Sequence, residues 1–391
     1  MCVVWFLTDP GQMKRLAAVA PGRASPRTGE VTSRSLTAPA PQASIPLYSE
    51  DWTEDSGQGL ALRSSRPITD PQSLEQVRTS DEGRGQRGID RVRQELVAVD
   101  RRTPAGRARV IQLEIFLGLL HMSVGEFTEA DRRFAEAQAA DPDCPDLLRA
   151  NIEALRGVAA LRRGETENCV ACCIGASCIY PLAPEAIHQR PSGSREAIGR
   201  FTTYLKQRPA DLGVQWLLNV AYMTLGDYPH RVPSQYLIPL GPFQTDGGVR
   251  RLENIAGRVG IGARGANMSG GCIVDDFTGD GLLDVFYSTK DPTQGCALFV
   301  NRRDGTFEDR STRAGLEPQV GALNCNHADY DNDGDLDVLL LRGGWENPRR
   351  PSLLRNEGEG RFTDITIAAC LCEPIASQAA AWADFDCDGH V

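Results

Sequence analysis

The chain has 391 residues, of which 41% are hydrophobic and 24% are charged, and its formal net charge is −10. This length exceeds that of one ordinary domain, and the composition is typical of a globular protein. The acidic balance argues against nucleic acid as a general partner, because phosphate neutralisation requires concentrated lysine and arginine. No apolar run approaches the roughly 18 residues needed to span a bilayer, so no membrane span is predicted.

Residues 1–105 are rich in proline, glycine, serine, threonine and arginine and show no sustained apolar periodicity. Such a composition buries too little apolar surface to offset chain entropy, so disorder is predicted, with a short helix near Ile89–Val99. The apolar stretches Met1–Leu7 and Met13–Ala20 do not make a clear export signal. Whether this region is genuine coding sequence stays open.

Residues 106–230 have the spacing of helical repeats. A series of small and large residues matches the order and offsets of a tetratricopeptide (TPR) repeat: Leu117, Gly118, Gly125, Phe127, Ala130, Phe134, Ala137 and Pro142. The small residues let two antiparallel helices approach closely, and the two phenylalanines fill the space between them. Further helices are predicted at Leu148–Arg163, Ser194–Gln207 and Leu212–Leu225, which gives an α-solenoid of about three units.

An insertion at residues 167–193 interrupts the second helical repeat. It contains four cysteines and one histidine: Cys169, Cys172, Cys173, Cys178 and His188. The CxxC spacing is compatible with zinc or an iron–sulfur cluster, but a second such pair is missing. A disulfide between Cys169 and Cys178 is the favoured interpretation, and a metal or redox centre stays open as the alternative.

A proline-rich linker is predicted at residues 231–246, and a different repeat then fills residues 247–391. The segments Phe307–Asp309 and Phe362–Asp364 are 55 residues apart. The aspartate clusters that begin at Asp276, Asp329 and Asp384 are separated by 53 and 55 residues. The first repeat contains four short apolar runs, at Cys272–Asp276, Asp284–Tyr287, Ala297–Asn301 and Thr306–Asp309. Four strands at this period predict the blades of a β-propeller.

Each aspartate cluster opens a loop with oxygen-bearing residues at alternate positions and glycine at the sixth, a pattern that wraps a cation of calcium's size. The predicted ligands are Asp276, Thr278, Asp280, Leu282 and Asp284 in the first loop, Asp329, Asp331, Asp333, Asp335 and Asp337 in the second, and Asp384, Asp386 and Asp388 in the third. Positions one, three, five and nine would donate side-chain oxygens, and position seven its backbone carbonyl. We expect the second loop to bind best and the first to be weakened by Thr278. The third loop ends before position nine and is expected to bind poorly or not at all.

Two other interpretations of the loops are less favoured than calcium binding. They are not EF-hands, because position twelve is Tyr287 or Leu340 rather than glutamate and the flanking sequences are strand-like. They could be plain Asx-turns between strands, although three copies in register favour a metal. The isolated histidines His121, His230 and His327 are interpreted as packing or surface residues.

The Asp-rich loops inside repeats of blade length resemble FG-GAP/VCBS repeats, as in integrin α-subunit propellers. The join of an interrupted TPR to these repeats resembles the ASPIC/UnbV group, the bacterial relatives of cartilage acidic protein, and residues 167–195 and Trp216–Gly226 carry that match. The resemblance implies a multidomain fold of an α-solenoid followed by a partial FG-GAP β-propeller. It also implies exported, calcium-dependent and non-catalytic proteins. Two features depart from the group. Cys172 and Cys173 stand where histidines are usual, and further blades and an ASPIC/UnbV segment are absent, so a fragment is expected.

The leading hypothesis is a calcium-binding, non-catalytic interaction module, whose unknown protein or peptide partner contacts the TPR groove and the propeller face. An extracellular or periplasmic location is expected, because weak calcium sites fill where free calcium is high. The alternative is an accessory subunit or a metal-dependent enzyme that uses the aspartate loops or the cysteine-rich insertion. The sequence contains no nucleophile elbow, P-loop or dinucleotide fingerprint.

Overall fold

The computed structural model describes residues 63–170, 182–241, 253–264, 270–344, 346–371 and 373–391, together with residues 59 and 61. Within these ranges the fold is mixed α plus β, with seven α-helices and two antiparallel sheets of four strands. The helices are α1 (Leu74–Asp81), α2 (Arg84–Val97), α3 (Pro104–Ser123), α4 (Phe127–Ala139), α5 (Asp146–Glu165), α6 (Ser192–Gln207) and α7 (Leu212–Met223). The strands are β1 (Cys272–Asp275), β2 (Asp284–Tyr287), β3 (Ala297–Asn301), β4 (Phe307–Asp309), β5 (Asn324–Ala328), β6 (Asp337–Leu341), β7 (Ser352–Asn356) and β8 (Phe362–Asp364).

Helices α3 to α7 belong to one compact unit, within residues 92–246. Two glycines allow their close approach. A Cβ added at Gly118 would lie 2.3 Å from the Phe134 ring, and one added at Gly157 would lie 2.6 Å from the Phe201 ring. Both phenylalanines are fully buried. The predicted helices and their close packing are therefore confirmed, whereas the assignment of these helices to the tetratricopeptide class stays a prediction.

Residues of the predicted linker after α7 contact that helix. The Asn219 side-chain amide donates to the Tyr236 carbonyl at 2.7 Å, and its oxygen accepts the Ile238 N–H at 3.1 Å. Tyr236 is 5% exposed. A single buried asparagine thus binds one carbonyl and one N–H group of the proline-rich segment.

Residues 171–181 of the cysteine insertion lie outside the described residues. Cys172, Cys173 and Cys178 and the side chain of Cys169 are among those not described, so the predicted disulfide and its metal-site alternative stay predictions. His188 is described and buried. Its Nδ1 lies 3.1 Å from the Ser194 hydroxyl, which accepts a hydrogen bond from the Thr224 hydroxyl at 2.8 Å.

The two sheets belong to a second compact unit, and each follows its repeat in simple up-and-down order, β1-β2-β3-β4 and β5-β6-β7-β8. The registers are equivalent, since Asp275 pairs with Asp284 in the first sheet and Ala328 with Asp337 in the second. Phe277 and Phe286 share one apolar core with residues of the second sheet. The four strands predicted for the first repeat are confirmed to within one residue at each end.

The prediction of disorder through residue 105 is wrong for the stretch that forms α1, whereas α2 lies where the short helix near Ile89–Val99 is predicted. Helix α1 begins at a good N-cap, where the Ser73 hydroxyl accepts the Gln76 N–H at 3.1 Å. Val77 is buried, and a Cβ added at Gly321, in the connection between the sheets, would lie 3.5 Å from it. Arg349, in the β6–β7 connection, donates to the Val77 carbonyl at 3.2 Å. Composition averaged over a hundred residues concealed a short helix that is stabilised by a distant part of the chain.

Candidate metal centre

The three aspartate loops share one backbone conformation. The first connects β1 to β2, the second connects β5 to β6, and the third lies near the end of the sequence. In each loop the fourth and sixth positions have positive φ, at Gly279 and Gly281, at Asn332 and Gly334, and at Cys387 and Gly389. This repeated left-handed pair turns the chain back on itself, which is the kind of tight turn that a cation-binding loop requires.

The same hydrogen bonds stabilise each loop. The carboxylate at position one accepts the N–H groups of positions five and six, at 3.1 and 2.7 Å for Asp276 and at 3.0 Å in both cases for Asp329. Asp384 accepts the equivalent pair at 3.1 and 2.9 Å. The carboxylate at position five, Asp280 or Asp333, accepts the N–H of position seven at 2.9 Å. The Asx-turn interpretation therefore describes the loop geometry correctly, and it is compatible with metal binding because each carboxylate oxygen has a second lone pair.

The carboxylates at position nine are fully buried. Asp284 accepts the Asn301 N–H at 2.9 Å, and Asp337 accepts the Asn356 N–H at 2.8 Å. Burial raises the pKa of Asp284 above its ordinary value. Burial raises the pKa of Asp337 further, to about 6, and the neighbouring carboxylates of the same loop add to the rise. A cation at the loop centre would relieve this unfavourable buried charge.

The second and third loops bring three carboxylates together. Oxygens of Asp329, Asp331 and Asp337 all lie within 4.8 Å of one another, as do oxygens of Asp384, Asp386 and Asp388. Ligands of one calcium ion, each at 2.3–2.6 Å from it, have mutual distances of this size. The second cluster reaches into the protein through Asp337, whereas all three acids of the third loop are exposed.

The first loop, among the described residues, does not form such a carboxylate cluster. Its third position is Thr278, whose hydroxyl donates to Asp284 at 3.2 Å. A neutral donor therefore occupies the place where the second loop has Asp331. The carbonyl of position seven, Leu282 or Asp335, stays a predicted ligand.

Two kinds of supporting residue were not assigned a role from sequence. The sequence indicates a packing or surface position for His327, and its ring centroid does lie 6.1 Å from that of Phe277, but its Nε2 also lies 2.9 Å from Asp275. It thereby connects β5 to the residue that precedes the first loop. Asn301 and Asn356 bind the buried aspartates through their N–H groups, and Asn356 also donates from its side chain to the Phe277 carbonyl at 3.0 Å. The recurrence of asparagine at a spacing of 55 in the sequence is a signal for the side-chain contact.

The remaining histidines differ from each other. His121 is buried in the helical unit, where its Nδ1 lies 2.6 Å from Glu126. His230 is exposed.

In the part of the chain that the structure describes, none of the helices has the length and apolarity required to cross a membrane.

The repeated four-stranded sheets with aspartate loops define the class of the second unit. The model of the FG-GAP-like repeat matches residues 276–340 and 329–391, so the chain carries FG-GAP repeats. Such repeats suggest a protein-interaction module without enzymatic activity.

The chain is also similar to cartilage acidic protein 1. It is 26% identical to the human protein over 251 residues, which is 62% of this chain and 30% of the relative. It is 25% identical to the mouse protein over 247 residues, covering 62% of this chain and 31% of the relative. The Xenopus tropicalis protein is 33% identical over 145 residues, which is 36% of this chain and 21% of the relative. The chain thus spans less than a third of the length of these relatives.

Proposed function

We propose that this chain is a calcium-stabilised, non-catalytic protein-interaction module. The observation that carries the proposal is the convergence of Asp329, Asp331 and Asp337 within 4.8 Å, with Asp337 fully buried. Carboxylates this close repel one another strongly without a cation, and an all-oxygen site suits a hard ion of calcium's size. Calcium binding would therefore stabilise the loop, and with it the strands β5 and β6 that the loop connects.

The interaction role rests on surfaces rather than on a reaction. The FG-GAP repeats provide one surface, and the helical repeats, if they stack as a TPR array, provide a concave groove for a protein or peptide. An extracytoplasmic location belongs to the same proposal, because loops of this kind fill where free calcium is high.

The alternative function is an accessory subunit or an enzyme that uses the aspartate loops as a catalytic metal site. Catalysis would require an open coordination position and a neighbouring acid or base. In the second loop three acids of the loop itself converge, and the position-nine carboxylate is engaged by the Tyr330 and Asn356 N–H groups at 3.0 and 2.8 Å. These contacts favour a structural ion.

Calcium titration of the chelator-treated chain by calorimetry tests the proposal. We expect saturable binding, a rise in melting temperature, and an affinity about 100-fold lower in an Asp329→Ala/Asp333→Ala variant, because two charged ligands are lost. The matched control, Asp143→Ala/Glu185→Ala, removes the same charge from exposed positions of the helical unit and should bind like the parent.

Two results would count against calcium. A folded parent that binds no calcium would leave the loops as plain turns, and equal affinity in the parent and the double variant would place the ion elsewhere. Metal analysis and visible absorbance of the same sample test whether the cysteine insertion carries a metal or redox centre.

A further inference from the structure

A continuous chain of hydrogen bonds joins the first aspartate loop to the second. It begins at Asp337, the position-nine carboxylate of the second loop, which accepts the Asn356 N–H at 2.8 Å. The Asn356 side-chain amide donates to the Phe277 carbonyl at 3.0 Å, and the Phe277 N–H donates to the Asp284 carboxylate at 3.2 Å. Asp284 is the position-nine carboxylate of the first loop. Three hydrogen bonds therefore connect equivalent predicted ligands of the two loops.

All four residues of this chain are fully buried: Asp337, Asn356, Phe277 and Asp284. Hydrogen bonds are electrostatically stronger in a protein interior than in water, and bonds in series polarise one another. Leaving a buried donor or acceptor without its partner is also costly. A change in the position of one carboxylate is therefore expected to move the next member of the chain rather than to break the bond between them.

The side-chain amide of Asn356 has little freedom to move independently of the second loop. Its nitrogen also donates to the Leu336 carbonyl at 3.3 Å, and Leu336 directly precedes Asp337 in the loop. Its oxygen accepts the Gly358 N–H at 3.1 Å, which orients the plane of the amide group. The amide is thus held by its own repeat and presented to the Phe277 carbonyl of the neighbouring repeat.

An apolar contact crosses the same boundary beside the polar one. Phe362 pairs with Asn356 between β7 and β8, and its ring centroid lies 6.0 Å from that of Phe277. This packing does not involve the Asn356 amide. A substitution that shortens the Asn356 side chain therefore removes the polar connection between the repeats and retains the aromatic contact.

The equivalent asparagine of the first repeat provides an internal comparison. Asn301 donates its N–H to Asp284 at 2.9 Å and its side-chain amide to the Leu283 carbonyl at 3.1 Å. These bonds correspond to those that Asn356 makes within its own repeat. The bond to Phe277 is the additional one, and it joins the two repeats. The same residue type thus stabilises one loop at residue 301 and contacts two loops at residue 356.

We propose that Asn356 couples calcium binding in the first and second loops, so that occupation of either loop raises the affinity of the other. The inference rests on the calcium binding proposed above. A cation in the second loop would restrict the Asp337 carboxylate, and with it Asn356 and the Phe277 carbonyl. The Phe277 N–H in turn orients Asp284. Asn356 is a positioning residue, because it acts through Asp337 and Asp284 rather than as a ligand.

A double-mutant cycle on the full chain tests this coupling. Calcium titration is followed by the amide NMR signals of Gly281 and Gly334, which report the first and second loops separately. When the Asp329→Ala/Asp333→Ala change silences the second loop, we expect the affinity of the first loop to fall about fivefold, the size of one buried hydrogen bond. In an Asn356→Ala background the same change should leave the first loop unaltered.

Asn301→Ala is the matched control. It removes the side-chain bond to Leu283 and leaves the bond between Asn356 and Phe277 in place. Whatever its effect on the affinity of the first loop itself, the fivefold difference between the parent and silenced second loop should be retained. Loss of this difference in Asn301→Ala would overturn the assignment of the coupling to Asn356.

Reciprocity provides a second measurement, which requires no change at Asn356. Coupling between two sites is equal in both directions, so silencing the first loop with Asp276→Ala/Asp280→Ala must weaken the second loop by the same factor. Unequal factors, or no change in either direction, would overturn the inference even if Asn356→Ala fails to fold. Coupling that persists in Asn356→Ala would assign it to the Phe362 contact instead.

Failure of this inference is distinguishable from failure of the proposed function. A folded parent in which neither glycine signal responds to calcium would overturn calcium binding, and the coupling with it. A parent in which both loops bind calcium independently would retain the proposed function and overturn the coupling alone.

Discussion

The first and second aspartate loops have the same backbone and different centres. Both have a left-handed pair at positions four and six, and in both the carboxylate at position one accepts the N–H groups of positions five and six. They differ at position three, where Thr278 donates to Asp284 and Asp331 instead joins a cluster of carboxylates. The backbone conformation of the loop is therefore separate from its charge, because both loops adopt the same backbone although only the second has an acid at position three.

The two loops also differ in the burial of the aromatic residue at position two, which depends on contacts with the neighbouring repeat. Phe277 is fully buried, with the rings of Phe286 and Phe362 at 5.8 and 6.0 Å. Tyr330 is only partly buried, and Phe385 in the third loop is 92% exposed. The backbone conformation of the loop is therefore independent of the packing around it, whereas the contribution of the loop to stability depends on that packing.

The largest expected effect comes from position two. Phe277→Ala should lower the free energy of unfolding of the sheet-containing unit by about 3–5 kcal/mol, because it empties a fully packed aromatic site. Phe385→Ala, at the equivalent position of the third loop, should change it by less than about 0.5 kcal/mol. Denaturant unfolding at fixed calcium measures both, and equal effects would mean that the packing difference between the loops has no energetic weight.

A substitution that converts the second loop into the first should have the next largest effect. Asp331→Thr removes one carboxylate from the cluster, and we expect calcium affinity to fall by a factor of about 10 to 100, as one charged ligand is lost. Calcium titration measures the change, with Asp331→Asn as a control that keeps the side-chain shape. An unchanged affinity in both variants would remove Asp331 from the ligand set.

The reverse conversion should have the smallest effect. Thr278→Asp places a fourth acid in the first loop, and we expect calcium affinity there to rise about tenfold while the calcium-free protein loses about 1 kcal/mol through repulsion with Asp284. The titration is done in the Asp329→Ala/Asp333→Ala background, which silences the second loop. Thr278→Val should give no gain, and a gain equal to that of Thr278→Asp would contradict a role for charge.

Much of the repeat architecture could be predicted from sequence, because it depends on local patterns. Short apolar runs bounded by turn residues located β1 to β4, and the spacing of 55 between Phe307 and Phe362 identified the second copy. Small residues such as Gly118 located the helix contacts for the same reason, since their effect is decided by the neighbouring helix in the chain.

Features that depend on distant residues could not be predicted in this way. Helix α1 is stabilised by Arg349, 272 residues from Val77, and nothing near α1 in the sequence indicates that contact. The number of acids in each loop predicts an order of calcium affinity. It does not predict the burial of Asp337, which depends on β7 through the Asn356 N–H group. The burial of Arg342 is equally invisible in a sequence, because its hydrogen-bond acceptors come from four separate positions.

The glycine at position six has a consequence for chirality. Gly281, Gly334 and Gly389 have φ of 82°, 97° and 91°, and a Cβ added at any of them would meet no atom of the described structure within 4 Å. A side chain at these positions is therefore disfavoured by the positive φ of the backbone and not by a lack of space. L-alanine would be strained by about 1–2 kcal/mol. D-alanine, introduced by chemical ligation, would favour the observed φ and restrict the unfolded chain, a gain of about 0.4–1 kcal/mol. The backbone at position six thus favours a D-residue, and glycine is the coded amino acid that adopts this φ without strain.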